Sequence, residues 1–131
     1  MSDGVTFGSY IREKRINLEP YISLRKMAEL LKLSPVHMSN IETGRDAAPK
    51  NEILANLAQL LKLDKQEQEY MYDLAAESKN YIAVPYDLTE YISENERARV
   101  AMRVAKDVDA TDTEWNEFIA KLKKRSHQQE E

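Results

Sequence analysis

Cysteine is absent from the 131 residues of this chain, and glycine and histidine are scarce. Without cysteine the chain can form neither a disulfide nor a Cys-His zinc site, and this absence favours the reducing cytoplasm. The three glycines do not gather ahead of a helix, which excludes a glycine-rich phosphate loop. The two histidines, His37 and His127, lie too far apart in sequence to form a helical metal site.

Catalytic constellations and long apolar runs are missing as well. No stretch approaches the ~18 consecutive apolar residues of a membrane helix. A Ser-His-Asp arrangement could use only His37, inside an expected helix, or His127, in a polar tail. We therefore expect a cytoplasmic protein that is not an enzyme, that holds no metal or cofactor and that does not span a membrane.

The abundant residues favour helix. Ala, Leu, Glu, Lys, Gln, Arg and Met supply 70 of the 131 residues, whereas Val, Ile and Thr supply 19. The first group loses little rotamer freedom in a helix, so we expect an all-α protein. Apolar residues make up 42% of the chain, which is enough to bury a core, and the charged 32% leave a net charge of −4.

Apolar residues recur at helical spacing in five segments of the first 79 residues. Pro20 prevents the first segment from continuing, and Gly44 suits the end of the third. This spacing predicts helices at about 7–17, 24–32, 35–43, 50–62 and 65–78. The expected N-caps include Thr6, Ser23, Ser34 and Asp64.

Residues 80–86 break this pattern. They read Asn-Tyr-Ile-Ala-Val-Pro-Tyr, and β-branched and aromatic residues around a proline are typical of an extended linker. Helical spacing returns after the linker, first in a short segment and then in longer ones capped by Asn95 and Thr111. We therefore divide the chain into a domain at residues 1–79 and a linker with a helical C-terminal region at residues 80–131.

Two short helices joined by a tight turn, with one helix before them and two after, make a helix-turn-helix arrangement. Four stretches resemble the Xre/lambda-repressor-like (Cro/CI-type) helix-turn-helix family. They read Ile-Arg-Glu-Lys-Arg at 11–15, Met-Ala-Glu-Leu-Leu-Lys-Leu-Ser at 27–34, Met-Ser-Asn-Ile-Glu-Thr-Gly at 38–44 and Leu-Ala-Gln-Leu-Leu-Lys-Leu at 57–63. The resemblance implies a five-helix lambda-repressor-like DNA-binding domain within residues 1–79, whose third helix enters the major groove.

The chain departs from the family pattern at the turn and at the start of the second helix. Lys32 stands where the family has the glycine of the turn, so we expect continued helix there. Ser23-Leu24 replaces the family's Ser-Gln, which removes a glutamine often used on a phosphate, and Arg25 or Lys26 can substitute for it.

Candidate DNA contacts follow from the resemblance. Base contacts are expected at the start and outer face of the third helix, where the alternative is an ordinary polar surface; they are Ser34, Val36, His37, Ser39 and Asn40. Phosphate contacts are expected on the second helix and beyond the third; they are Arg25, Lys26, Thr43, Arg45 and Lys50. Glu42 is expected to form a structural ion pair with Arg12 or Arg15.

Charge is distributed unevenly along the chain. Residues 7–50 hold eight Lys and Arg against five Asp and Glu, a balance of +3, whereas residues 51–80 hold three against six, a balance of −3. A local basic face is what phosphate contact requires, even in an acidic protein. Modest affinity per domain predicts a homodimer on a palindromic operator.

One apolar stripe marks the C-terminal region. Trp115, Phe118, Ile119 and Leu122 follow the spacing i, i+3, i+4, i+7 of one helix face. A short helical pair is too small to be stable alone, so this stripe must dock somewhere. It is expected to form a dimer interface, and the alternative is packing within the chain.

The sequence therefore predicts a sequence-specific regulator of transcription, a repressor that binds double-stranded DNA as a homodimer. The alternative is an antitoxin that binds its own promoter through the same domain and a toxin protein through the C-terminal region. A third possibility is a small-molecule-responsive or protein-interaction module that uses the helical bundle without DNA.

Overall fold

A computed structural model describes the backbone of residues 4–130 and the side chains of residues 4–126, so the side chain of His127 lies outside it. Throughout this part of the chain the regular structure is α-helix, without strands, which confirms the all-α expectation. The helices are α1 (Phe7–Ile16), α2 (Leu24–Leu31), α3 (Pro35–Thr43), α4 (Asn51–Leu60), α5 (Lys65–Glu77), α6 (Tyr86–Glu94), α7 (Glu96–Val108) and α8 (Asp112–Glu130).

The chain divides into two compact units, one ending at Glu90 and the other beginning at Tyr91. In the first unit α3 packs against α1 and α2, while α5 packs against α1 and α4. Side chains from α1, α2, α3, α4 and α5 fill one apolar core. The largest of those that are fully buried are Ile11, Met27, Met38, Ile41, Leu54, Leu57 and Met71. The division of the chain after residue 79 stays a prediction.

The helix starts follow the short polar residues that precede them. The Ser23 and Ser34 hydroxyls each accept a hydrogen bond of 3.0 Å from the backbone N–H three residues on. Asp64 and Glu67 form a reciprocal capping box at the start of α5. These side chains satisfy donors that have no partner within the helix, so each start is fixed by local sequence, as predicted.

Lys32 ends α2, and the expectation of continued helix is wrong. It adopts a left-handed conformation, with φ 60° and ψ 37°. The N–H of Lys32 donates to the Glu29 carbonyl, and the N–H of Leu33 donates to the Ala28 carbonyl. This is the Schellman pattern, in which an apolar residue after the turn folds back on the helix. Burial of part of Leu33 thus favours a conformation that lysine alone disfavours.

The same turn occurs again between α4 and α5. Lys62 has φ 55°, and the N–H groups of Lys62 and Leu63 donate to the Gln59 and Ala58 carbonyls. The repeated sequence Leu-Leu-Lys-Leu, followed at once by an N-cap residue, accounts for the repeated geometry. The connections α2–α3 and α4–α5 therefore share one geometry.

The C-terminal unit has a different character. No residue of α7, and none of the described side chains of α8, is buried. Asn95 caps α7, and Thr111 and Glu114 exchange hydrogen bonds as a capping box ahead of α8. Local signals therefore define these helices, whereas an apolar core does not.

Candidate nucleic-acid interface

The amphipathic sequence of α3 leaves one of its faces exposed. Met38, Ile41 and Glu42 are buried against the rest of the unit. Val36 is 72% exposed, His37 is exposed, and Ser39 and Asn40 are half-buried. The five candidate base-contacting residues therefore include none that the core sequesters. An α-helix presented in this way fits the width of the major groove.

A buried ion pair fixes the inner side of α3 to α1. Arg15 Nε lies 2.7 Å from Glu42 Oε2, and Arg15 Nη2 lies 3.0 Å from Glu42 Oε1. Arg15 also donates to the Ile22 carbonyl at 3.2 Å, and hydrogen bonding to Glu42 raises the pKa of Arg15. Arg12, the other candidate partner, is exposed. The pair holds α1, α3 and the loop before α2 in one arrangement.

Gly8 allows α1 and α3 to approach closely, and the sequence analysis did not single it out. A Cβ atom at this position would lie 2.2 Å from the Ile41 carbonyl oxygen and 2.6 Å from the Glu42 carbonyl oxygen. The available signal was a glycine inside a helix, where it costs stability relative to alanine unless packing requires it.

The candidates at the start of α2 and α3 surround two helix N-termini. Arg25 and Lys26 are exposed in the first turn of α2, where Lys26 Nζ lies 3.8 Å from Glu29 Oε1. Ser34 is exposed, and its hydroxyl accepts the N-cap bond from His37. The N-terminus of a helix carries partial positive charge, so these positions suit phosphate as well as base contacts.

The remaining candidate phosphate contacts lie at the end of α3 and between α3 and α4. The Thr43 hydroxyl donates its one hydrogen to the Asn40 carbonyl at 3.3 Å, so it must release this bond before it can donate to a phosphate oxygen. Arg45 is exposed in the loop, and Lys50 is exposed at the N-cap position of α4 without a side-chain cap bond. Both cations are therefore available for phosphate.

Asp46 brings a negative charge to this face, which the sequence analysis did not anticipate. His37 Nε2 lies 3.8 Å from Asp46 Oδ2, and the N–H of Asp46 donates to the Asn40 carbonyl at 3.1 Å. Two candidate base-contacting residues are thus positioned by the loop that follows α3. Sequence spacing held no signal for this contact, because it depends on the path of the loop.

The loop itself is tied to the end of α5. The N–H of Ala48 donates to Ser78 Oγ at 2.9 Å, and Lys79 Nζ donates to the Ala48 carbonyl at 2.9 Å. Ala48 is buried. These contacts bridge about thirty residues of sequence, and they set the position of the loop that carries Arg45 and Lys50.

Among the described residues no group of three or more His, Asp and Glu side chains is arranged to hold a metal ion. None of the described helices has the length and apolarity needed to cross a bilayer.

The fold and the exposed face of α3 define a helix-turn-helix domain, a class of domain found in DNA-binding regulators and typically not enzymatic. Residues 7–71 match the family described as helix-turn-helix domain, so this part of the chain is a domain of that family. The match is consistent with the Xre/Cro type. Comparison with curated proteins and with solved structures gives no significant match.

Proposed function

We propose that this protein is a sequence-specific regulator of transcription, a repressor that acts in the cytoplasm as a homodimer on a palindromic DNA operator. The observation that carries the proposal is the division of α3 into two sides. Its buried side is anchored by Glu42 and Arg15, and its other side offers Val36, His37, Ser39 and Asn40. A rigidly held helix with an exposed polar face is what base recognition requires.

The candidate residues take two different roles in this proposal. Ser34, Val36, His37, Ser39 and Asn40 contact base edges, where asparagine can bond adenine bidentately and valine can pack on a thymine methyl group. Arg25, Lys26, Thr43, Arg45 and Lys50 contact phosphates on either side of the groove. The phosphate contacts fix the register, and the base contacts select the sequence.

The apolar stripe of α8 supports the homodimer. Trp115, Phe118, Ile119 and Leu122 are 38%, 51%, 45% and 40% exposed, and the Trp115 and Phe118 rings lie edge-on with centroids 6.3 Å apart. Such a patch marks an interaction surface. A second copy of the chain is the proposed occupant, because two domains related by a two-fold axis match two half-sites about 34 Å apart or a multiple of that spacing.

Selection of bound duplexes from a random pool tests the proposal. We expect a palindromic consensus, and sedimentation of the intact chain should show a dimer at micromolar concentration. A pool that stays random after repeated rounds would refute sequence-specific binding. A protein that is monomeric both free and on its selected duplex would refute the homodimer.

The same exposed stripe favours an antitoxin as the second candidate, since a toxin protein could cover it instead of a second copy. The two candidates differ in what the stripe binds. An antitoxin forms a stable complex with the product of an adjacent gene, and Trp115→Ala with Phe118→Ala abolishes that complex. The repressor is supported instead if a second copy of the chain covers the stripe and no adjacent gene encodes a protein that binds it.

A further inference from the structure

A cavity of about 260 Å³ lies in the first unit, between α4, α5 and the connecting segment, which we define as residues 80–85. Its wall combines aromatic and small apolar side chains with a few polar ones. Those that matter here are Asn51, Tyr72, Ala76, Lys79, Tyr81 and Tyr86. A concave site whose aromatic walls are joined by a few convergent polar groups is a usual form of small-molecule site.

Tyr72 contributes its ring to the apolar core of the first unit, and its hydroxyl is the part that the core does not use. It is only 8% exposed, and its ring centroid lies 6.3 Å from that of Tyr86. Its hydroxyl forms no hydrogen bond with another described residue, and no buried side-chain N or O atom among the described residues lacks a partner, so this hydroxyl is open to the cavity that Tyr72 lines. Burial, and after it the negative charge of nearby Asp87, raises the pKa of Tyr72, so its hydroxyl stays protonated and can donate.

Two other polar side chains of the wall, Lys79 and Asn51, also carry donors. The ammonium of Lys79 uses one of its three N–H groups on the Ala48 carbonyl, and Asn51 carries an amide. No carboxylate is found among the described residues that line this cavity. A ligand that brings an acceptor oxygen would therefore satisfy several donors at once.

We infer that this cavity is an effector site for a small planar aromatic molecule that carries a carbonyl or carboxylate oxygen. The tyrosine rings provide the apolar walls for its ring, and Tyr72, Lys79 and Asn51 provide donors for its oxygen. The volume is just below the roughly 300–1,000 Å³ of sites for drug-sized ligands, which fits a single substituted ring.

The site is linked to the DNA-binding face. Lys79 and Ser78 hold Ala48 in the loop between α3 and α4, and Asn51 follows Lys50 directly. A ligand bonded to Lys79 and Asn51 stabilises that loop in the position described here, because it favours the state to which it binds. This regulatory role rests on the proposed function, and it predicts a co-repressor effect.

Binding is measured first on the free, full-length protein labelled with ¹⁵N, by titration with three probes of the same shape. Benzamide and benzoate carry an acceptor oxygen, whereas benzamidine carries only donors. We expect saturable shifts at Asn51, Lys79 and Ala83 with the first two probes and at least tenfold weaker binding of benzamidine. Equal binding of benzamidine, or no saturable shift with benzamide and benzoate, would overturn the site.

Two variants and one control locate the binding. Tyr72→Phe should weaken benzamide about five-fold, the usual effect of one lost hydrogen bond. Ala76→Leu fills the cavity from α5 and should abolish binding, whereas Ala55→Leu at an exposed position of α4 should leave it unchanged. Unchanged binding in both Tyr72→Phe and Ala76→Leu would show that benzamide binds elsewhere.

The coupling is then measured on the selected operator. We expect saturating benzamide to lower the operator Kd at least three-fold, and the operator to tighten benzamide binding by the same factor. An operator Kd that benzamide does not change would overturn the regulatory role. Failure of the protein to bind any duplex would instead refute the proposed function. The titration of the free protein uses no DNA, so its result on the cavity would not be affected.

Discussion

Replacement of Glu42 by alanine should destabilise the first unit by about 3–5 kcal/mol, because it leaves the guanidinium of Arg15 buried without its partner. The two side chains are only 6% and 2% exposed, so water cannot take the place of the carboxylate. Small domains are stable by about 5–15 kcal/mol in total, so the loss is a large share of the stability. The variant should unfold at a clearly lower urea concentration.

The assay is urea unfolding of the full chain followed by circular dichroism. Glu29→Ala is the matched control, because Glu29 faces Lys26 at 3.8 Å with 72% of its side chain exposed, and it should change stability by about 0.5 kcal/mol or less. The double variant Arg15→Met with Glu42→Leu should lose less than the sum of the single losses, since neither charge is then left unpaired. Equal midpoints for Glu42→Ala and the wild type would refute the buried-pair argument.

Gly8→Ala should destabilise the chain although alanine is the better helix former, because the new Cβ would lie 2.2 Å from the Ile41 carbonyl oxygen. Thermal unfolding measures the effect, and a stabilised variant would contradict this prediction. Asn40→Ala should weaken the selected operator by ~1–3 kcal/mol and relax the preference at one base pair. Lys50→Ala should weaken all duplexes alike and lower the salt slope by about one unit, with the exposed Lys65→Ala as its control. If Asn40, Ser39 and His37 can each become alanine without changing the ratio of operator to scrambled binding, α3 is not the reading helix. Hydrogen bonding to Lys14 lowers the pKa of Glu67 below its ordinary value of 4.5. The stability that this pair contributes is therefore present above pH 4.5 and is lost as the pH falls through the folded-state pKa. Lys14→Met should lose less stability than the wild type on acid titration, and an unchanged acid profile would count against the pair.

Short-range signals in the sequence were sufficient for the helices that begin with a side-chain cap. A hydroxyl or carboxylate at Ser23, Ser34, Asp64 or Asn95 caps the helix that follows it, and this interaction spans only three residues. Such contacts are encoded where they occur. They could therefore be predicted without knowledge of the fold.

Lys32 shows why the turn between α2 and α3 could not be predicted in the same way. Its own preference is for a right-handed conformation, and the left-handed one is favoured by the packing of Leu33 and the backbone bonds to Ala28 and Glu29. The choice of Arg15 over Arg12 depends on helix phase. The contacts of His37 with Asp46, and of Ala48 with Ser78, depend on how a loop and a distant helix end meet.

The C-terminal stripe marks another limit of sequence reasoning. The i, i+3, i+4, i+7 spacing identified Trp115, Phe118, Ile119 and Leu122 as one face of a helix, and α8 is that helix. An amphipathic pattern states that a face is apolar, and it does not state what covers that face. The assignment of these residues to a dimer interface stays a prediction.

The number of residues in the Leu-Leu-Lys-Leu turn sets the rotation of α3 about its own axis. α3 begins a fixed number of residues after Lys32, and each residue of a helix advances by about 100° around the axis. One residue inserted between Leu33 and Ser34 would bring every side chain of α3 about a quarter-turn out of place, so that either Met38 and Ile41 leave the core or Asn40 leaves the surface. A substitution on the exposed face of α3 therefore changes one side chain, whereas a change in the length of the connection reorients all of them.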